Sequence, residues 1–400
     1  MRRFLLLMVV TILLLGTAFS VWALNRPLSP LKPISIVSTL ASSSSNPLPW
    51  PNYGQAAIGA SGYQVLATHG SQAPQPTASV AKLVTALAVL QKMPLSLGQQ
   101  GPELTIGNQD IAFYQAYVAG GGSVVPVNYG EQISEYQVLQ AMMLPSANNL
   151  ADSLAFWAFG SLPAYVSYAN SYVKQIGLHS TTIADASGFS ASTVSTASDL
   201  VSLGEIALQQ PVLAQIVSQP QATIPVAGTI RNLNSLVGQD GILGIKTGNT
   251  DQAGGVYVVA GNYTLVDNHR LTLVVAIMGA PSLGQAIRNA PPLLAAAQAN
   301  FSEQTVISAG NVVGYVNTPW GTSVNIVAAK SLAAFGWKGT PFSLSLSLEP
   351  QKAPLASGQV VGKLMLAPAV GNTPEETAVV LQRPLAPPSW QWRLLHGWHF

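Results

Sequence analysis

The sequence predicts a mixed α/β (α+β) protein: a domain in which helices flank an antiparallel sheet, followed by a small all-β domain. Three observations carry that prediction. Apolar residues recur at helical spacing in several segments before residue 300, period-two strand patterns bracket them, and beyond Phe301 only short strand patterns follow. With 400 residues, 48% of them hydrophobic, the chain is ample for a buried core.

Met1-Arg2-Arg3 precedes an uncharged run from Phe4 to Leu24, long enough to cross a bilayer. Residues 1–24 therefore read as a signal peptide, with Val21-Trp22-Ala23 as its small-residue cleavage site, or as an uncleaved anchor with its arginines inside. Either way the remainder is expected to be exported, on the extracytoplasmic face of the membrane or in the cell wall. Residues 25–52, with Ser42 to Ser45 and Pro47, Pro49 and Pro51, read as an extended tether. A mixed domain is expected over 53–300. It opens with a hairpin of Ala56 to Ile58 and Tyr63 to Ala67, which Pro74 and Pro76 stop. Ser79 to Met93 is apolar on nearly every face, the mark of a helix buried on all sides. Ser134-Glu135-Tyr136-Gln137 is a capping box that opens a second helix through Met143, which Pro145 ends; a third is expected at Asn149 to Phe159. Gly255 to Gly261 and Leu271 to Met278 alternate as strands around a turn at Val266 to His269. In the region 301–387, read as a small β-sandwich-like domain, the clearest strand is Phe342 to Leu348, where serines alternate with leucines. A tail, 388–400, carries Trp390, Trp392 and Trp398, read as packing on the last domain.

Composition narrows the function classes. A net charge of +2 from 17 basic and 15 acidic residues, with no Lys/Arg run, provides no field for nucleic acid. No cysteine is present, and His69, His179, His269, His396 and His399 show no metal-ligand spacing, so neither metal nor cofactor is expected. Gly120-Gly121-Gly122 lacks the following helix and Lys-Ser/Thr of a phosphate cradle and reads as a loop. Charged residues are only 8% of the chain, against about a quarter in typical domains. One hypothesis is an acidic medium, in which a sparsely charged surface loses fewer ion pairs on protonation.

Three short motifs follow one another in order: Ser79-Val80-Ala81-Lys82, Ser146-Ala147-Asn148 and Lys246-Thr247-Gly248. Ser-x-x-Lys also occurs at Ser29 and Ser171, but the first copy lies in a Pro-rich stretch and no Ser-x-Asn follows the second. On a helix, residues three apart share a face, so Lys82 can reach the Ser79 hydroxyl. A serine needs a base to become a nucleophile, and a lysine serves only when uncharged, which burial and a second cation such as Lys246 both favour. At a helix start the Ser79 backbone N–H also faces outward, where it can stabilise an oxyanion.

This ordered set is found in penicillin-binding proteins and β-lactamases. The chain resembles a low-molecular-mass penicillin-binding protein of the serine-type D-alanyl-D-alanine carboxypeptidase family, over roughly residues 53 to 385. The resemblance is carried by Pro76 to Leu87, Met143 to Asn149 and Gly244 to Thr250, and by Asp185-Ala186-Ser187-Gly188-Phe189, Thr196 to Leu200 and Arg231-Asn232-Leu233-Asn234. It implies a transpeptidase-like domain of the β-lactamase type and the removal of terminal D-alanine from peptidoglycan stem peptides. Ser79 would form the acyl-enzyme, Lys82 take its proton, Ser146 relay that proton to the leaving amine, and Asn148 hold Lys82 and the peptide amide. Lys246 and Thr247 would bind the terminal carboxylate beside Gly248, and the Asn249 N–H would be the second oxyanion donor. β-Lactams, as mimics, would acylate Ser79. Ala147 stands where glycine is usual and Asn149 where aspartate is common. Rival readings are a D,D-endopeptidase on the same fold, a β-lactamase, for which no Glu-x-x-Leu-Asn element lies between Asn148 and Lys246, and a non-catalytic wall-binding or sporulation protein.

Overall fold

The computed structural model describes residues 2–37, 44–265, 269–339, 342–367 and 374–396. It divides into two compact units, Asn46–Asn300 and Met1–Ser45 with Phe301–Phe400.

In the first unit a five-stranded antiparallel sheet runs in the order Ile242–Thr250, Gly254–Thr264, Arg270–Ala280, Gln55–Ala60, Gln64–His69. The hairpin and both alternating strands fall where their patterns placed them; the Val266 to His269 turn lies largely outside the described residues. Every residue of Gln55–Ala60 is buried, as are Val256 to Ala260, because helices cover both faces of the sheet. Leu283–Ala299 packs on one side, and Ala197–Gln209 approaches closely enough that Gly204 lies against Ile245, Val258 and Val274.

The predicted helix at Ser79 is two pieces. Ala78–Ala81 forms a 3-10 turn and Lys82–Lys92 an α-helix, in which Lys82 to Leu90 are all buried. Ala78, at φ +47°, brings the chain into that turn in the left-handed region, a conformation of order 1–3 kcal/mol for a non-glycine residue. The capping box is present in both directions: Gln137 N–H donates to Ser134 Oγ, and Ser134 N–H donates to Gln137 Oε1. Its helix, Glu135–Met143, gives way to the turn that carries Ser146, and Asn148–Phe159 follows. Helices Asn108–Ala119 and Leu162–Gln175 complete the layer around Lys82–Lys92.

In the second unit a six-stranded sheet is ordered Ile34–Ser35, Val312–Asn317, Ser323–Ala328, Glu375–Leu381, Val360–Leu366, Leu344–Leu348. The alternation at Leu344–Leu348 turns its serines to solvent and its leucines onto the core of Val316, Ile326, Leu364 and Val379. The stretch expected as a tether is in part structured. Ile34–Ser35 pairs with the edge strand and Leu31, bridged to Gln351, is buried in this core. Its Ser42 and Ser43 lie outside the described residues, as do Trp398 and His399 of the tail. Arg2–Asn25 is a 24-residue helix long and apolar enough to cross a membrane. The short helix Trp390–Leu395 packs on it, with Arg393 Nη1 donating to Leu24 O and Arg26 O, each at 2.9 Å. Trp392 sits edge-on to Trp320, whereas Trp390 is exposed.

Among the described residues, neither Glu135 nor Glu205 in the first unit has a cationic partner. Both oxygens of Glu135 and one of Glu205 are buried without a hydrogen-bond partner, and burial raises each group from 4.5 to about 7. The folded state therefore favours the protonated acid. That stability is fully present below the unfolded value near 4.5 and is lost as pH rises through about 7. Thermal melting is expected to be several degrees higher at about pH 5 than at about pH 8, and Glu135→Gln with Glu205→Gln should flatten the dependence. A melting temperature that falls on acidification over that range would contradict this.

Candidate active site

The first motif converges on one buried amine. Lys82 Nζ lies 2.9 Å from Ser79 Oγ, 2.6 Å from Asn148 Oδ1 and 2.9 Å from Ser187 O. An amide oxygen and a backbone carbonyl can only accept, so they take two hydrogens of Nζ. The remaining tetrahedral position faces Ser79. In the free amine that position is a lone pair aimed at the Ser79 hydroxyl hydrogen. Burial, and next the charge of Lys246, hold Lys82 well below the usual lysine range, with Asp185 and Asp152 opposing.

The second motif is a strained turn. Ser146 has φ +67°, and Asn148 begins the following helix, its N–H donating to Ser123 O at 2.7 Å. Asn149 anchors the loop opposite with both ends of its amide, accepting from Val125 N–H and donating to Val125 O. The glycine run 120–122 thus closes Asn108–Ala119 and leads into a loop held against this motif.

The third motif lies on the edge strand Ile242–Thr250. Lys246 Nζ donates to Ser146 Oγ and to Thr247 O, each at 3.0 Å, and burial brings Lys246 down to about 7. Two buried lysines, 82 and 246, therefore flank the serine pair; burial weakens the charged form of each, and the charge of Lys246 further weakens that of Lys82. The strand passes close to the nucleophile turn. A Cβ on Gly248 would stand 3.0 Å from Thr77 O and 3.1 Å from Ser79 N, so no side chain fits without displacing that turn. Thr247 is buried, and Asn249 is exposed just beyond. The Arg231 to Asn234 segment braces this edge: Leu233 N–H donates to Leu144 O and Tyr257 OH to Asn234 Oδ1.

Five of the polar residues picked from the motifs, Ser79, Lys82, Ser146, Asn148 and Lys246, are linked by these contacts into two chains, one ending on each serine, while Thr247 and Asn249 follow Lys246 on the same strand. Sequence reasoning missed the third holder of Lys82, the Ser187 carbonyl. Its loop is fastened to the nucleophile helix by Thr85, whose hydroxyl donates to Ala186 O at 2.6 Å, and Gly188, at φ +73°, lets it pass Ala78 O. Also missed were Asp152 and Tyr117, whose carboxyl and hydroxyl meet at 2.9 Å behind Lys82. Asp152 is one helical turn past Asn148, a spacing that could have flagged it.

Residues 56–282 match the model of the peptidase S11 family, D-alanyl-D-alanine carboxypeptidase. The chain is 30% identical over 219 residues to a D-alanyl-D-alanine endopeptidase of Escherichia coli (strain K12), covering 50% of this chain and 63% of that protein. It is 29% identical over 229 residues to D-alanyl-D-alanine carboxypeptidase DacA of the same organism, covering 54% and 53%. The chain thus spans less than two thirds of either relative. Penicillin binding protein 5 from Haemophilus influenzae has the same fold, with a TM-score of 0.60 at 22% identity over 86% of this chain and all of that one. A putative penicillin-binding protein homolog from Mycobacterium tuberculosis superposes with a TM-score of 0.56 at 28% identity, covering 65% and 96%.

The close approach at Gly248 gives a direct check on the geometry. Gly248→Ala is expected to lower the acylation rate of Ser79 by about tenfold or more while leaving the melting temperature nearly unchanged, because the displaced atoms belong to the nucleophile turn. Unaltered acylation in a folded variant would show that the turn tolerates the added methyl.

Proposed function

Because the chain belongs to the D-alanyl-D-alanine carboxypeptidase family, we propose that it is a serine D,D-peptidase that removes the terminal D-alanine from peptidoglycan stem peptides. The observation that supports this best is the contact of Lys82 Nζ with Ser79 Oγ at 2.9 Å, with the amine's other two contacts, Asn148 Oδ1 and Ser187 O, both acceptors. In this reading Ser79 Oγ attacks the carbonyl between the last two D-alanines as its proton moves to Lys82. The backbone N–H groups of Ser79 and Asn249 receive the oxyanion. The proton then reaches the leaving nitrogen through Ser146, which Lys246 holds at 3.0 Å. Lys246, with Thr247, meets the substrate carboxylate; a cation brought to about 7 by burial regains its charge when that anion arrives. Water releases the acyl group. β-Lactams mimic the dipeptide and are expected to acylate the same serine.

Labelling with a fluorescent penicillin tests the reading. The wild type should be labelled and should release D-alanine from a pentapeptide, and Ser79→Ala should do neither while remaining folded. Labelling that survives in Ser79→Ala would remove the assignment. Cleavage of cross-linked dimers without D-alanine release would move it to an endopeptidase, and rapid turnover of the penicillin to a β-lactamase.

We further propose that the enzyme acts outside the cytoplasmic membrane with Arg2–Asn25 retained as its anchor. Support comes from the end of that helix. Ala23, at the expected cleavage position, is buried, and Arg393 caps the carbonyls of Leu24 and Arg26. The membrane-fraction protein should therefore retain residues 1–23 by intact mass; a mature chain beginning at Leu24 would exclude the anchor.

A further inference from the structure

Behind Lys82, four oxygens stand in a row: Asp152 Oδ2, Tyr117 OH, Ser187 Oγ and Asp185 Oδ2, separated by 2.9, 3.0 and 2.7 Å. Each of these three contacts needs one hydrogen. The tyrosine and serine hydroxyls supply two, so the third belongs to a carboxyl. Asp185 is not its holder. Its oxygens also accept from the backbone N–H groups of Phe189 and Ser190 and from the Thr193 hydroxyl, an acceptor load that suits an ionised group. Among the described residues Asp152 has no such donors, and its Oδ1 is buried without a hydrogen-bond partner. A lone carbonyl oxygen is far less costly in that position than a carboxylate oxygen. The directions follow: Asp152 donates to Tyr117, Tyr117 to Ser187, and Ser187 to Asp185.

We propose that Asp152 is held protonated and acts as a positioning residue. Through Tyr117 and Ser187 it fixes the carbonyl that orients Lys82, and as a neutral acid it spares Lys82 a carboxylate that would trap it as an ammonium ion. The groups facing Asp152 are Tyr117, Lys82, Asp185 and Tyr165, and Lys82 also faces Lys246. Burial, the largest influence, raises Asp152 from 3.8 to about 7. During acylation the Ser79 O–H bond breaks as its oxygen bonds to the substrate carbonyl, and the proton goes to Lys82, then through Ser146 to the leaving nitrogen. Asp152 keeps its own proton throughout. Above about pH 7 Asp152 ionises, the row lacks one hydrogen, and the new carboxylate opposes proton loss from Lys82.

The inference rests on the acyl-transfer reading, and the experiment separates the two. Rates of fluorescent-penicillin acylation are measured from about pH 5 to 9 for the wild type and Asp152→Asn, whose amide N–H can replace the acid as donor to Tyr117. The ratio of the two rates cancels the titration of Lys246 common to both. The variant is expected to lie within about twofold of the wild type below pH 6 and to exceed it by about fivefold above pH 8. In parallel, the infrared difference between the two proteins should show the carbonyl band of a protonated carboxyl at pH 6 that vanishes by about pH 8.5. Should the variant not fold, Tyr117→Phe takes its place and is expected to shift that band, since the acid loses its acceptor. A constant rate ratio across pH, a variant slowed tenfold at pH 6 with unchanged melting, or the absence of the carboxyl band would each overturn the proposal. A wild type that is never labelled would instead remove the acyl-transfer reading, and the band would still decide the state of Asp152.

Discussion

Putting a lysine amine into a dry interior is unfavourable as long as it carries charge, and Lys82 is fully buried at the junction of the first two motifs. The surrounding structure answers that constraint. Asn148 and Ser187 satisfy two hydrogens of the amine and leave its third direction to Ser79, so burial lowers the amine's affinity for a proton while its acceptors set its aim. Much of the fold of the first unit can be understood as what is required to bring those two oxygens to one point. The helix Asn148–Phe159 delivers one, and the loop at 185–189, tied down by Thr85, delivers the other.

Lys246 is buried too, and in the proposed mechanism it needs the opposite property. Its contacts are a serine hydroxyl and its own strand's carbonyl, with nothing that fixes a lone pair on an acidic hydrogen, and burial alone brings it to about 7. An incoming carboxylate can restore its charge. Two lysines of one sequence thus sit in different surroundings: three oxygen partners around Lys82, two around Lys246. Two of the six described non-glycine residues at positive φ lie in the same place. Ala78 and Ser146 adopt positive φ, and Gly188 and Gly248 permit approaches that a side chain would block.

Low charge density is the other thread. Burial raises the carboxyls of Glu135, Glu205 and Asp152 to about 7, so all three favour the protonated form at mildly acidic pH. A chain with charged residues at 8% has few partners to offer them. Both features suit an acidic surrounding, where neutral acids bury without ion pairs and a surface poor in salt bridges forfeits little.

Local chemistry made several elements legible in the sequence. The capping box at Ser134, the two long alternating strands and the apolar run after Ser79 each carry their own geometry, and the order of the three motifs was enough to select Ser79 over two other Ser-x-x-Lys copies. Other elements were hidden because tertiary packing overrode the local signal. Leu283–Ala299 contains Pro291 and Pro292, which argue against a helix, yet Ala286, Ala290, Leu293, Leu294 and Ala297 are buried along it. Ile34–Ser35 reads as tether and gains strand structure only from the edge of a sheet formed some 280 residues later. The same holds for the site. Spacing along one helix could place Lys82 by Ser79, but the Ser187 carbonyl has no side-chain signature, and the row from Asp152 to Asp185 joins residues of two helices and a loop. What the sequence determined by itself was therefore which polar residues meet at the candidate site, since their identities and local spacings are written in it. Which of them are charged, and where each hydrogen points, was decided only when folding removed water and supplied a particular acceptor for each one.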